Sequence, residues 1–221
     1  MTELWEGRSM EKELRKKMEE AVWVARSLFE RNRTTGSSAN LSFLHNRNMY
    51  ITASGSCFGT LTEESFAVMD LEGNLLSDKK PSKEWPLHLG IYQRKSQTKA
   101  VLHTHGTYAV LWSYVPVTDE TDCIPACTPY LKMKLGQVCM VPYEQPGSQA
   151  LFDAFDSRVM CGDGYLLKRH GAVVPAKDIM DAFYCMEELE ENARIAWELW
   201  RAGNFPAMEE FGSYDRPVWN H

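Results

Sequence analysis

The sequence contains no stretch approaching the roughly 20 apolar residues that would span a bilayer, so no membrane protein is expected. The N-terminus, MTELWEGRSMEKELRKKMEE, lacks the apolar core of a signal peptide, and a cytoplasmic location is the expectation. Long basic runs are absent and the net charge is −6, which argues against nucleic acid as a partner. Cysteine is not scarce, but none of Cys57, Cys123, Cys127, Cys139, Cys161 and Cys185 forms a C-x-x-C pair. A chain of this length needs no disulfide staples, so reduced and mostly buried thiols are expected. Cys123 and Cys127 are spaced to share a metal, but no second pair accompanies them. Repeats, linkers and low-complexity tracts are also missing. With 221 residues, 44% of them hydrophobic, residues 1–221 are expected to form a single domain around one substantial core.

What is present alternates between helical and strand periodicity. From Lys12 to Asn32, apolar residues at Leu14, Met18, Ala21, Val22, Ala25, Leu28 and Phe29 make a helical stripe opposite a charged face. Three strand-like runs follow, LSFL (41–44), MYITA (49–53) and FAVMDL (66–71), separated by turn residues as in an antiparallel meander. Pro81 to Pro86 opens a second helix, with Ser82 the expected N-cap. Proline is tolerated only in the first turn, so the helix should run from about Glu84 to Lys95. Ala100–His103, Gln137–Val141 and Tyr165–Lys168 read as further strands, and 106–115 as helix. Asp178 to Arg201 is the strongest helical pattern. The fold class expected is α/β, a mainly antiparallel central sheet flanked by helices. Residues 202–221 form a C-terminal tail in which Phe205, Phe211, Tyr214 and Trp219 follow no period. It suits either an ordinary dock on its own core or cover for a neighbouring subunit or a site.

The sharpest local signal is His103-Thr104-His105 at the end of an apolar run. On an extended backbone, residues i and i+2 face the same side, so two imidazoles can converge on one ion. Lys168-Arg169-His170-Gly171 ends another strand, with glycine leaving room beside the histidine. Glu84 lies at a helix start. Three histidines and a carboxylate are a ligand set suited to Zn²⁺, with Mn²⁺ or another divalent metal as alternatives. A weakly held Glu84 can act as acid or base and leave a position open for substrate. A second group is small and polar: Ser37 to Asn40, Thr52 to Gly55, and Ser82-Lys83, all at turns. Hydroxyls, a lysine and backbone N–H groups there suit a phosphate cradle, while each segment read alone suits a cap or turn. A negative net charge does not exclude this, since a few local donors bind an anion.

In combination, GSSANLS (36–42), ITASG (51–55), PSKEW (81–85), AVLHTHGTYAV (100–110) and LLKRHG (166–171) resemble the class II aldolase/adducin family over residues 12–200. The resemblance implies a three-layer fold, a zinc ion on His103, His105 and His170, and Glu84 as catalytic acid/base approaching the metal. It implies that Ser37, Asn40, Ser54, Gly55 and Ser82 hold a substrate phosphate. Tyr130 falls near the position where the aldolases supply a proton-donating tyrosine from the adjacent subunit of a homotetramer. Lys83 stands where fuculose-type aldolases tend to have a second serine, and a cation there suits an extra carboxylate. One departure is Ala39, where the aldolases usually have glycine; a positive φ would be costly for alanine. His88 is read as a packing or second-shell histidine, and His45 and His221 as exposed polar residues.

PSKEW, TPYLKMKLGQ (128–137), VPYEQPG (141–147) and EELEENAR (187–194) are most similar to the 3-oxo-tetronate 4-phosphate decarboxylase branch. The activity this implies is decarboxylation through a metal-stabilised enediolate, giving dihydroxyacetone phosphate and CO₂. Aldol cleavage of a fuculose-type ketose phosphate and 4-epimerisation of a pentulose phosphate use the same metal site and stay open. So does a non-catalytic, adducin-like interaction module.

Overall fold

The structure is a computed structural model that describes residues 2–203, with side chains described from residue 11 onward. The aromatic tail residues and His221 lie outside the described residues.

Seven strands form one sheet: β1 (Asn40–His45), β2 (Asn48–Thr52), β3 (Phe66–Asp70), β4 (Ala100–Thr104), β5 (Val138–Val141), β6 (Gly164–Leu167) and β7 (Gly171–Ala176). Their order is β3-β2-β1-β4-β7-β6-β5. Every pairing is antiparallel except β5 with β6. The helices are α1 (Thr2–Glu30), α2 (Trp85–Arg94), α3 (Thr107–Trp112), α4 (Pro129–Lys134), α5 (Gln149–Arg158) and α6 (Ile179–Arg201). Among the described residues no helix is long and apolar enough to cross a membrane.

Strand alternation divides the core into two layers. On one face Leu41, Phe43, Ala100, Leu102, Met140, Leu166, Ala172 and Val174 pack with the stripe of α1 and with Ile179, Phe183, Met186 and Leu189 of α6. On the other face Met49, Ile51, Val101, Val141, Leu167 and Val173 pack with Leu87, Ile91 and Tyr92 of α2 and with Leu151 and Phe155 of α5. The meander, the α2 span and the long α6 form as the sequence pattern implies. Three elements were not anticipated: α4, α5 and β7. The last carries Pro175 inside a central strand, where proline is unusual. Only Gly171–Val173 of β7 pair with β6, so Pro175 lies beyond that neighbour.

Two expectations are corrected. Cys139 of β5 and Cys161 are joined as a disulfide, their Cα atoms 5.9 Å apart, so not all six thiols are free. His45 ends β1 in a buried position, 3.8 Å from Glu13 and with Nε2 3.0 Å from the Asn46 amide, so it is not an exposed turn residue.

α6 does more than pack. Its buried Glu190 carboxylate accepts from the N–H groups of Tyr108 and Ala109, the first turn of α3, at 2.8 and 2.9 Å. A Cβ on Gly106 would sit 2.6 Å from the Glu190 Cδ, so the residue after the His-Thr-His segment must be glycine for the carboxylate to reach this turn. Asn192, two residues on, donates to the Pro125 carbonyl at 2.6 Å and accepts from Thr128 N–H at 3.1 Å, tying down the entry to α4.

Candidate metal centre

His103 is the fourth residue of β4, on the α2 face with Val101, and it pairs across the sheet with Asn40 of β1. Its Nδ1 donates to the Ala172 carbonyl of β7 at 2.9 Å, which turns Nε2 towards the cluster. His105 lies just beyond β4, and the two Nε2 atoms are 3.0 Å apart. The third imidazole comes from the β6–β7 turn. Arg169 there has a left-handed φ of 60°, uncommon for a non-glycine residue. Its N–H is bonded to Ser113 Oγ at 2.9 Å, and its guanidinium lies 5.5 Å from the Tyr114 ring and 5.6 Å from the Tyr143 ring. His170 follows, then Gly171, where a Cβ would collide with the Thr104 carbonyl of β4. Glycine therefore lets the two histidine-bearing segments close on each other.

Glu84 completes the group. It is the N-cap of α2, with Pro86 in the first turn, but it makes no side-chain cap bond to its own helix. The expected cap, Ser82, is displaced to a 3.4 Å contact with the Glu84 N–H. The freed carboxylate turns into the cluster, with Oε2 3.1 Å from His103 Nε2 and Oε1 3.1 Å from His170 Nε2.

One donor atom from each of Glu84, His103, His105 and His170 lies within 4.8 Å of all the others. Three of these separations are 3.0 to 3.1 Å, close enough for the donors to share one ion. Two features fit a bound cation. The His103 and His105 nitrogens face one another with nothing to share but one proton, and buried His170 has no partner on Nδ1 among the described residues and only the Glu84 carboxylate beside Nε2. A cation would satisfy all three. Burial pushes the His105 pKa down to about 3, with the neighbouring imidazoles adding to the effect, so this ring is a neutral lone-pair donor. Burial would raise the Glu84 pKa, but charge on His103 and hydrogen bonds from His103 and His170 outweigh it and hold the carboxyl well below the usual range.

Beside the cluster is a polar cleft lined by Ser37, Ser38, Asn40, Ser54, Gly55, Ser82 and Lys83, together with Glu84, His105 and His170. Pro146 and Gly147 close another side. Ser37, Asn40, Ser54, Gly55, Ser82 and Lys83, expected for a phosphate cradle, thus reach one cleft, whereas Thr52 is buried with its hydroxyl accepting from Leu41 N–H. Ala39 is buried and is not among the positive-φ residues, so alanine there needs no strain; Gly36, at φ 60°, takes the turn instead. Tyr130 is exposed on α4 and is not among the residues lining this cleft of its own chain. Sequence reasoning missed Ser42 and Tyr92, which are buried behind Glu84 with His88. Tyr92 leaves a signal in spacing, since Glu84, His88 and Tyr92 recur every four residues on one helix line, but Ser42 leaves none.

Three imidazoles carried by the sheet and a carboxylate from the start of α2 meet at the edge of a hydroxyl-rich cleft, a donor set able to coordinate a divalent metal. The chain belongs to the class II aldolase and adducin family: residues 19–197 match the family described as the class II aldolase and adducin N-terminal domain. It is 38% identical over 179 residues to a 3-oxo-tetronate 4-phosphate decarboxylase of Haemophilus influenzae, covering 80% of this chain and 85% of that one. An L-fuculose phosphate aldolase of Methanocaldococcus jannaschii is 34% identical, with 79% and 92% covered. The crystal structure of YgbL from Klebsiella pneumoniae superposes with a TM-score of 0.80 at 36% identity, covering 84% of this chain and 90% of that one.

Proposed function

We propose that this protein is a zinc-dependent carbon–carbon lyase that decarboxylates 3-oxo-tetronate 4-phosphate to dihydroxyacetone phosphate and CO₂. The observation that carries the reading is the convergence of Glu84, His103, His105 and His170 beside a cleft that also presents Ser37, Ser54, Ser82 and Lys83. Its similarity to the Haemophilus decarboxylase supports the choice of reaction.

When bound, a divalent cation supplies a Lewis-acid sink for the electrons left behind as a bond beside a carbonyl breaks. The chain's own residues supply the rest. Ser37, Asn40, Ser54, Ser82 and the Gly55 backbone hold the phosphate, so that its binding energy positions the scissile bond. Among the described residues Lys83 is the one lysine or arginine lining the cleft, and in this reading it pairs with the substrate's anionic groups. Glu84, a carboxylate at rest, takes up a proton and passes it to the carbon losing CO₂, the carboxylate of the substrate leaving as neutral gas and its bonding pair returning to carbon. In the full assembly, a homotetramer with sites between subunits, Tyr130 of an adjacent chain serves as a further proton donor; its exposure on α4 suits that use.

Aldol cleavage of a ketose 1-phosphate is the second reading, supported by the Methanocaldococcus aldolase. The two separate in one experiment: CO₂ release from 3-oxo-tetronate 4-phosphate measured beside aldehyde release from fuculose 1-phosphate, with and without chelator. Chelator-sensitive CO₂ release with no aldehyde is the expected result. Aldehyde release alone would replace the first reading with the second, and neither product from a zinc-loaded sample would favour a non-catalytic, adducin-like module.

A further inference from the structure

Behind Glu84, four buried polar side chains make a continuous path into the core. Asn40 Nδ2 is 3.1 Å from Glu84 Oε2, and Asn40 Oδ1 is 2.6 Å from His88 Nε2. His88 Nδ1 is 2.7 Å from Ser42 Oγ, which is 2.8 Å from the Tyr92 hydroxyl. The fold explains the meeting. Asn40 and Ser42 are i and i+2 on β1, about 6.6 Å apart along a strand. Glu84, His88 and Tyr92 are i, i+4 and i+8 along α2, about 6 Å per step. The two repeats nearly match, so the strand pair meshes with the helix line.

We propose that Tyr92, Ser42, His88 and Asn40 are positioning residues that fix the orientation of Glu84 through a one-way chain of hydrogen bonds. This rests on the reading of Glu84 as the proton carrier.

The direction of every bond follows from its far end. A carboxylate only accepts, so the Asn40 amide nitrogen donates to Glu84 and its oxygen faces His88. That oxygen needs a donor, so His88 carries its proton on Nε2. Burial pushes the His88 pKa down to about 3, so the ring is neutral and Nδ1 accepts. Ser42 must then donate to Nδ1, and its oxygen accepts from Tyr92. Each donation points towards Glu84.

The chain locks a group that would otherwise have two orientations. Rotating the Asn40 amide by half a turn sets its oxygen against the Glu84 carboxylate and its NH₂ against the His88 N–H, a double repulsion. Without the Ser42 hydroxyl, His88 is free to carry its proton on Nδ1. Its bare Nε2 then favours the rotated amide, and Glu84 loses its donor. The second N–H of Asn40 remains for the cleft, so its expected phosphate contact is compatible with this role. A buried network satisfied at every atom, ending at one carboxylate, is costly to leave half-made.

Ser42→Ala removes one hydroxyl that touches neither Glu84 nor the cleft, and Tyr92→Phe removes the next one back. Histidine ¹⁵N spectra of labelled protein read the tautomer directly, without any substrate. The expected result is the Nε2–H tautomer for His88 in the parent protein and a shift towards Nδ1–H in Ser42→Ala. In the decarboxylase assay, Ser42→Ala should lower kcat about five- to tenfold with zinc content unchanged, and Tyr92→Phe less. On a Glu84→Gln background the same change should alter the residual rate by less than about twofold. An Nδ1–H parent tautomer, or an equal kcat loss with and without Glu84, overturns the proposal. An inactive parent protein would reject the proposed reaction, while the tautomer spectra would still decide the chain.

Discussion

Three imidazole rings whose centroids lie 4.7 to 4.9 Å apart, one of them wholly buried, are an expensive arrangement unless something holds them together. Removing one should therefore act on the metal before it acts on the fold. His103→Ala and His170→Ala are expected to cut zinc stoichiometry to near zero and turnover to background. Metal analysis by mass spectrometry beside the rate assay checks this, and full activity in a zinc-free variant contradicts the scheme. Glu84→Gln should behave differently. Its amide still fills the space, so zinc is largely retained while kcat falls about 10²- to 10⁴-fold, the usual loss of a general acid–base group. A rate equal to the parent's removes the proposed role. The donors themselves were readable from their residue types and from the i, i+2 relation of His103 and His105. Their supports were not. Ser42 is one polar residue in a strand pattern and Tyr92 one aromatic in a helix pattern, and only packing shows that they meet.

At the level of elements, the periodic ones were legible. α1, α6 and the meander each bury a regular stripe, and hydrophobic burial along a stripe decides their form whatever lies elsewhere in the chain. The irregular ones were hidden for identifiable reasons. β7 carries Pro175, tolerated because β6 has already ended beside it. The N-cap of α2 was misplaced at Ser82 because Glu84 gives its carboxylate to the cluster rather than to its helix. The Cys139–Cys161 bridge joins residues 22 apart with no spacing motif to mark them. The glycines at the site are a further element-level constraint. At Gly171 any Cβ meets the Thr104 backbone, which cannot yield as a flexible side chain would. Gly171→Ala should thus cost about 1–3 kcal/mol, typical of overpacking, and should weaken zinc binding by pushing β7 away from β4. Chemical denaturation with parallel zinc titration tests it. An unchanged midpoint with unchanged zinc affinity shows that the two strands close with slack.

For the whole molecule, the proposed metal should tie stability to occupancy of the cluster. His103 comes from β4, His170 from the β6–β7 turn and Glu84 from the start of α2, so a bound cation links both halves of the sheet to the helix layer. The unfolded chain cannot present these donors together, so binding favours the folded state by mass action. At free zinc a hundredfold above its dissociation constant, the gain is about 2.7 kcal/mol. In a chain of this size each kcal/mol raises the melting temperature by about 2–4 °C, so zinc should raise Tm by roughly 5–11 °C over a chelated sample. His103→Ala should lose that increment and also melt below the chelated parent, because it leaves a cavity and a buried Ala172 carbonyl without its donor. Calorimetry of the parent and the variant, each with zinc and with chelator, gives the four values required. Equal melting temperatures for zinc-loaded and chelated parent would mean that the four donors do not share an ion. A zinc shift that survives in His103→Ala would place the binding elsewhere in the chain.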